Sequence, residues 1–144
     1  MISGNSSKER GQGIVIVALM MIAFLAVLAL TIDGGLTYAQ RRRAQNAADS
    51  GALAGARAMC STGGGDPFVA ARDYASRNGI QDVNTNVAVS SSQVGTVSSV
   101  IVTVTLPYDT FFAGVIGYAQ TQVGAVAEAA CYTPCSGAGV LPVA

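Results

Sequence analysis

Residues 14–32 read IVIVALMMIAFLAVLALTI, a run with no charge and with Thr31 as its one polar side chain. At about 1.5 Å of rise per residue, a helix over this run reaches roughly the 30 Å of a hydrocarbon core. It is long enough to span a membrane. The competing reading is a secretory signal, with Lys8, Glu9 and Arg10 as its basic region and Thr37, Tyr38 and Ala39 as its cleavage site. Signal h-regions run to about 7–15 residues, shorter than this one, so the span is preferred. A buried core helix of this character does not suit so small a protein.

Composition supports the span. Hydrophobic residues make up 51% of the 144 and charged ones 11%, against about a quarter charged in a typical soluble domain. Eight basic residues balance eight acidic ones, so no overall field recruits nucleic acid. All the basic residues lie at or before Arg77, leaving only Asp82, Asp109 and Glu128 as charges beyond Asn78. The absence of histidine and tryptophan removes histidine triads, most zinc sites and most general-base schemes. Gly63, Gly64 and Gly65 lack the lysine and Ser/Thr of a phosphate loop and read as a linker. No enzyme, cofactor, metal or small-molecule substrate is expected.

Beyond the span, Gly34 and Gly35 mark a kink or stop. A second helical stretch then runs to about residue 60, rich in Ala, Leu, Arg and Gln. Within it Ala44, Ala48, Ala52 and Ala56 recur every four residues, as do Ala47, Gly51 and Gly55 on an adjacent stripe. Such spacing puts each set on one helix face, where small side chains let another backbone approach closely. Each interior glycine costs about 1 kcal/mol relative to alanine, which calls for a packing reason. Arg41, Arg42 and Arg43 carry long apolar stems and can reach lipid phosphate or a neighbouring subunit's Asp33 or Asp49.

Asp66 followed by Pro67 predicts a helix start, and Asn78–Gly79 its end. After Gly79 the period changes to two. Val100, Val102, Val104 and Leu106 form one face of a strand over 97–106, halted by Pro107. Residues 87–89 pair with it through a loop containing Ser91, Gln93 and Gly95. A short helix is expected over 111–116, capped by Asp109 or Thr110 and ended by Gly117. Residues 120–131 permit either helix or a third strand; the alternation of Thr121, Val123, Ala125, Ala127 and Ala129 favours the strand. The resulting segments are a tail (1–13), a transmembrane helix (14–32), an extracytoplasmic helix (33–60), a glycine linker (61–65), a small α+β domain (66–132) and an irregular tail (133–144). The fold class is α+β, short helices on a three-stranded antiparallel sheet behind a long N-terminal helix.

Three cysteines leave the pairing open. Cys60 with Cys131 or with Cys135 would close the end of the long helix onto the end of the sheet, and Cys131 with Cys135 is the local alternative. These cysteines and the strand-rich second half place the C-terminal region in an oxidising space. The positive-inside count, Lys8 and Arg10 against Arg41, Arg42 and Arg43, points the other way.

The opening RGQGIVIVALMMIAFLAVLALTIDGGLTYAQRRRAQNAADSGALAGA resembles the N-terminal Tad domain of TadE/TadG-like proteins of tight-adherence (Flp) pilus assembly. The resemblance rests on Arg10-Gly11-Gln12 before the span, Asp33 and Gly35 at its end, and Gln45-Asn46-Ala47-Ala48-Asp49 followed by residues 52–56. TVTLPYDTFFAGVIG and VGAVAEAAC resemble the end of the same module more loosely. The likeness implies a pilin-like subunit or accessory component, in contact with membrane lipid and other pilus subunits as a homo-oligomer or filament. A single-pass assembly factor that never polymerises, and a secreted binding domain starting near Gln40, are the alternatives. Processing after Gly11 or Gly13 would require a glutamate at the fifth following position; the chain has Ile16 or Ala18 there, so the uncleaved chain is the simpler reading. The metal-dependent adhesive domain found in many TadG-like proteins is not expected.

Overall fold

The computed structural model describes residues 9–61, 63–95 and 97–132. The expected C-terminal tail and Cys135 lie outside the described residues, as does most of the expected N-terminal tail. The chain orders itself as α1 (Glu9–Cys60), α2 (Pro67–Arg77), α3 (Val83–Asn86), β1 (Val87–Val94), β2 (Val97–Asp109), a 3-10 turn (Ala113–Ile116) and β3 (Gln120–Cys131). The sheet is three-stranded and antiparallel in the order β1-β2-β3, which makes the fold α+β as expected. Two compact units emerge, one of Met1–Tyr38 with Tyr108–Thr121, the other of Ala39–Pro107 with Gln122–Ala144.

In the first unit α1 passes through Gly34 and Gly35 without a break, where the sequence suggested a kink. Extending an existing helix is far easier than starting one, so two glycines at about 1 kcal/mol each do not break a helix that continues on both sides. A Cβ at either glycine would meet nothing within 4 Å. Neither is needed for a close approach, so Gly34→Ala and Gly35→Ala should each stabilise the helix by about 0.5–1 kcal/mol. Slower amide exchange over 33–38 would register the gain, and faster exchange would mean that the glycines serve a bend.

The second unit is built on the far half of α1. Ala44, Ala47, Ala48 and Ala52 are fully or almost fully buried there. They share a core with Ala71 and Ala75 of α2, Ile80, Val87 of β1 and Val100, Val102 and Val104 of β2. α2 starts where expected, with the Asp66 carboxylate accepting from the Phe68 N–H at 2.8 Å and Pro67 in the first turn. Its end is set by Asn78, whose Nδ2 also donates to Ser50 Oγ at 2.7 Å.

In the hairpin, Val87 faces Val104 and Val94 faces Val97. Ser91 and Gln93 are paired strand residues, opposite Val100 and Ser98, rather than the loop residues the sequence suggested. Backbone pairing does not require apolar side chains, so a ladder can extend past its buried portion. β2 likewise continues through Pro107. β1 pairing ends at Val104, leaving β2 an edge on that side, where a missing N–H is tolerated. β3 resolves the ambiguity of 120–131 as a strand, with Ala125 buried and Val123, Ala127 and Ala129 packed against the core.

Candidate functional site

Asp33 stands one residue past the apolar run, and its carboxylate is clamped by consecutive backbone donors. Oδ1 accepts from Phe111 N at 3.1 Å and Phe112 N at 3.3 Å; Oδ2 accepts from Phe112 N at 3.1 Å and Ala113 N at 2.7 Å. These N–H groups lead into the 3-10 turn, whose own flanking side chains supply no cap. The cap expected from Asp109 or Thr110 thus comes from a residue far away in sequence. Asp109 accepts from Gln120 Nε2 at 2.9 Å instead, and Thr110 Oγ1 donates to the Tyr118 carbonyl, so both close the base of the loop.

The backbone of Asp33 is held as well. Tyr108 OH donates to Thr37 Oγ1 at 2.7 Å, and Thr37 Oγ1 donates to the Asp33 carbonyl at 2.8 Å. Beside the clamp, Ala26, Ala29, Leu30 and Asp33 of α1 face Phe112, Ala113 and Ile116 across a mostly apolar groove of about 370 Å³.

The Ala113 N–H does most to hold the Asp33 carboxyl below its ordinary pKa; partial burial opposes it, and the Phe112 and Phe111 donors assist. A carboxyl with a lowered folded pKa stabilises the fold fully above its unfolded value of about 3.9 and loses that contribution as pH falls through the folded value. The amide proton of Ala113 should therefore keep a constant NMR shift at neutral pH and move upfield only in strong acid, below the ordinary carboxylate midpoint. A midpoint at or above that of an exposed aspartate would contradict the clamp.

The other charges singled out in the sequence divide between contacts within the chain and exposed positions. Asp49 accepts from Gln45 Nε2 at 2.8 Å on its own helix. Arg43 turns inward and donates to the Gly79 carbonyl just past α2, while Arg41 and Arg42 are exposed. Gly79 has φ +82, a conformation that favours glycine, and the Arg43 guanidinium lies against it. Asp33 and Asp49 thus have partners within the chain, and among the described residues the one ion pair is Arg77 with Asp73, both well exposed.

The small-residue stripe is occupied within the chain too. A Cβ at Gly51 would lie 2.9 Å from the Ala71 carbonyl oxygen and 3.4 Å from a Val102 methyl. At Gly55 it would lie 2.9 Å from a Val100 methyl and 3.1 Å from the Pro67 carbonyl oxygen. The close neighbours of these two glycines are α2 and β2 of the same chain. Cys60 is joined to Cys131, with Cα atoms 5.7 Å apart. Among the described residues no group of three or more His, Cys, Asp or Glu side chains is placed to hold a metal ion.

α1 also contains a window with a mean hydropathy of 3.0, none of it buried, and is long and apolar enough to cross a membrane. That helix, with Asp33 at the end of its apolar run and small residues beyond, lies almost wholly within one family match. Residues 11–58 match the Tad family, putative Flp pilus-assembly TadE/G-like. The Tad match covers about a third of the chain and nearly all of α1. Gly11 and Gly13, Asp33, the three arginines, Asp49 and the whole small-residue stripe fall inside it; Cys60 and the loop that caps Asp33 lie beyond it. The Tad family is a pilus-assembly family and generally non-enzymatic. No curated protein and no solved structure matches the chain.

The sequence singled out Asp33 but not its partners. The residues that hold it contribute backbone N–H groups, which every non-proline residue possesses. The available signal was the uncharged, aromatic and glycine-punctuated run TFFAGVIGY at 110–118.

Proposed function

We propose that the protein is a pilin-like structural subunit or accessory component of a tight-adherence pilus system, anchored in the cytoplasmic membrane by residues 14–32 with its second unit outside the cytoplasm. The observation that carries this reading is the Tad match lying on a helix whose apolar part is almost entirely exposed. The Cys60–Cys131 bridge supports the extracytoplasmic side, since disulfides persist in oxidising compartments. It outweighs the positive-inside count because Arg43 is engaged within the fold.

The placement of the stripe changes how such a subunit would associate. With Ala44, Ala47, Ala48, Gly51, Ala52, Gly55 and Ala56 buried within the chain, the longest continuous apolar surface left for lipid or for neighbouring helices is that of residues 14–32. Association through that surface would exchange lipid contacts for helix contacts in a filament, a near-balanced transfer settled by packing.

Intact mass and N-terminal sequence, determined separately on membranes and on sheared surface material, test the reading. Full-length chain or chain trimmed after Gly11 or Gly13 in sheared filaments makes it a structural pilin. Full-length chain confined to membranes makes it an accessory factor, and a start near Gln40 overturns the anchored reading altogether.

A further inference from the structure

Residues 111–118 present an unusual surface for a loop. Phe111, Val115, Ile116 and Tyr118 are 70–84% exposed and Phe112 is 45% exposed, with no charged residue among them. Water is a poor solvent for so compact an apolar patch. The clamp fixes where the patch sits: Phe112, Ala113 and Ile116 share a groove with Ala26, Ala29 and Leu30, all within the apolar run. We infer that this loop is a second membrane-contacting element, dipping into the outer leaflet beside the helix with its aromatic and aliphatic side chains among the acyl chains near the headgroup boundary. The inference rests on the reading that residues 14–32 cross the membrane.

Depth carries the argument. From Asp33 back to Ala26 the helix descends about 10 Å. If Asp33 marks the boundary, anything packed against Ala26, Ala29 and Leu30 lies below it. Interfacial elements typically sit about 5–10 Å into this region. The occupant is therefore the same lipid that surrounds the helix, since the loop surface continues the helix surface.

A loop at that depth must have its backbone satisfied internally, because little water is present to do it. This loop meets much of that demand. Phe111, Phe112 and Ala113 donate to Asp33, Val115 donates to the Phe112 carbonyl, Gly117 to Gly114, and Tyr118 to Ala113. The Asp33 charge is itself tolerable at the boundary because those donors replace its water shell. Tyr118, with an apolar ring and a hydroxyl, is the type of residue enriched at such interfaces.

The chain has no tryptophan, so single reporters can be introduced without background. Leu25→Trp and Val115→Trp variants of the full chain would be reconstituted in phosphatidylcholine/phosphatidylglycerol vesicles doped with lipids brominated either near the headgroup or near the tail end. The expected result for Val115→Trp is blue-shifted emission, quenched by the shallow bromines and spared by the deep ones, while Leu25→Trp responds to the deep ones. Quenching of Leu25→Trp with a water-like, unquenched Val115→Trp overturns the loop inference and leaves the anchor standing. A Val115→Trp signal that shifts only as protein density in the vesicles rises also overturns it, in favour of a contact between copies. Failure of Leu25→Trp to be quenched overturns the anchor and the loop inference together.

Discussion

Replacing Cys60 and Cys131 together by serine is expected to lower the stability of the second unit by about 4 kcal/mol. The bridge closes a loop with a sequence separation of 71, and in the chain-entropy model that restriction of the unfolded chain sets the magnitude. The effect should be large because the core is slight, with valine the largest side chain among the fully buried ones. Amide exchange at Val102 in the middle of β2 reads it directly, with an acceleration on the order of a thousandfold corresponding to that loss. Reduction of the unaltered chain should reproduce the acceleration. If neither treatment changes exchange by more than about tenfold, the unit is held by its packing and the bridge is incidental.

Gly51→Leu is expected to cost about 3 kcal/mol, near the upper end of what overpacking usually costs. The first added carbon already meets a backbone oxygen of α2, which cannot rotate away as a side chain can. Relieving the contact means moving α2 off the helix and opening the contact with Val102 as well. Gly34→Leu serves as the matched control, since it lies in the same helix with open space around it and should not lose stability. Thermal unfolding in detergent, followed by sheet and helix signals separately, distinguishes them. Equal behaviour of the two variants would mean that the close approach of α2 is absent in solution.

What the sequence made legible was set by local rules. The apolar run announced its helix through length, Asp66 and Pro67 announced α2 through capping, and the alternation of Val100, Val102 and Val104 announced β2 through its period. Gly34 and Gly35 misled because a glycine is read as punctuation, whereas extending an existing helix is far easier than starting one and two glycines do not break it. Ser91 and Gln93 misled because polar residues suggest a loop, although the antiparallel ladder needs only backbone groups. The small-residue stripe did not identify α2 and β2 as the elements lying against Gly51 and Gly55, since a missing side chain records a distance and not a partner. Asp33 drew notice as a charge at the end of an apolar run, but its partners could not be read from residue types.

The Asp33 clamp also imposes an order on synthesis. α1 can form as soon as it is made, yet the donors for its terminal carboxylate arrive 78 to 80 residues later. Between them the ribosome must deliver the rest of α1, then α2, α3, β1 and all of β2. The first unit is thus assembled from two separated pieces of chain, and the charge near the end of the apolar run stays without these donors until the second piece returns. A truncated chain ending anywhere before Phe111 carries that uncapped carboxylate permanently, so the clamp distinguishes a complete product from an interrupted one.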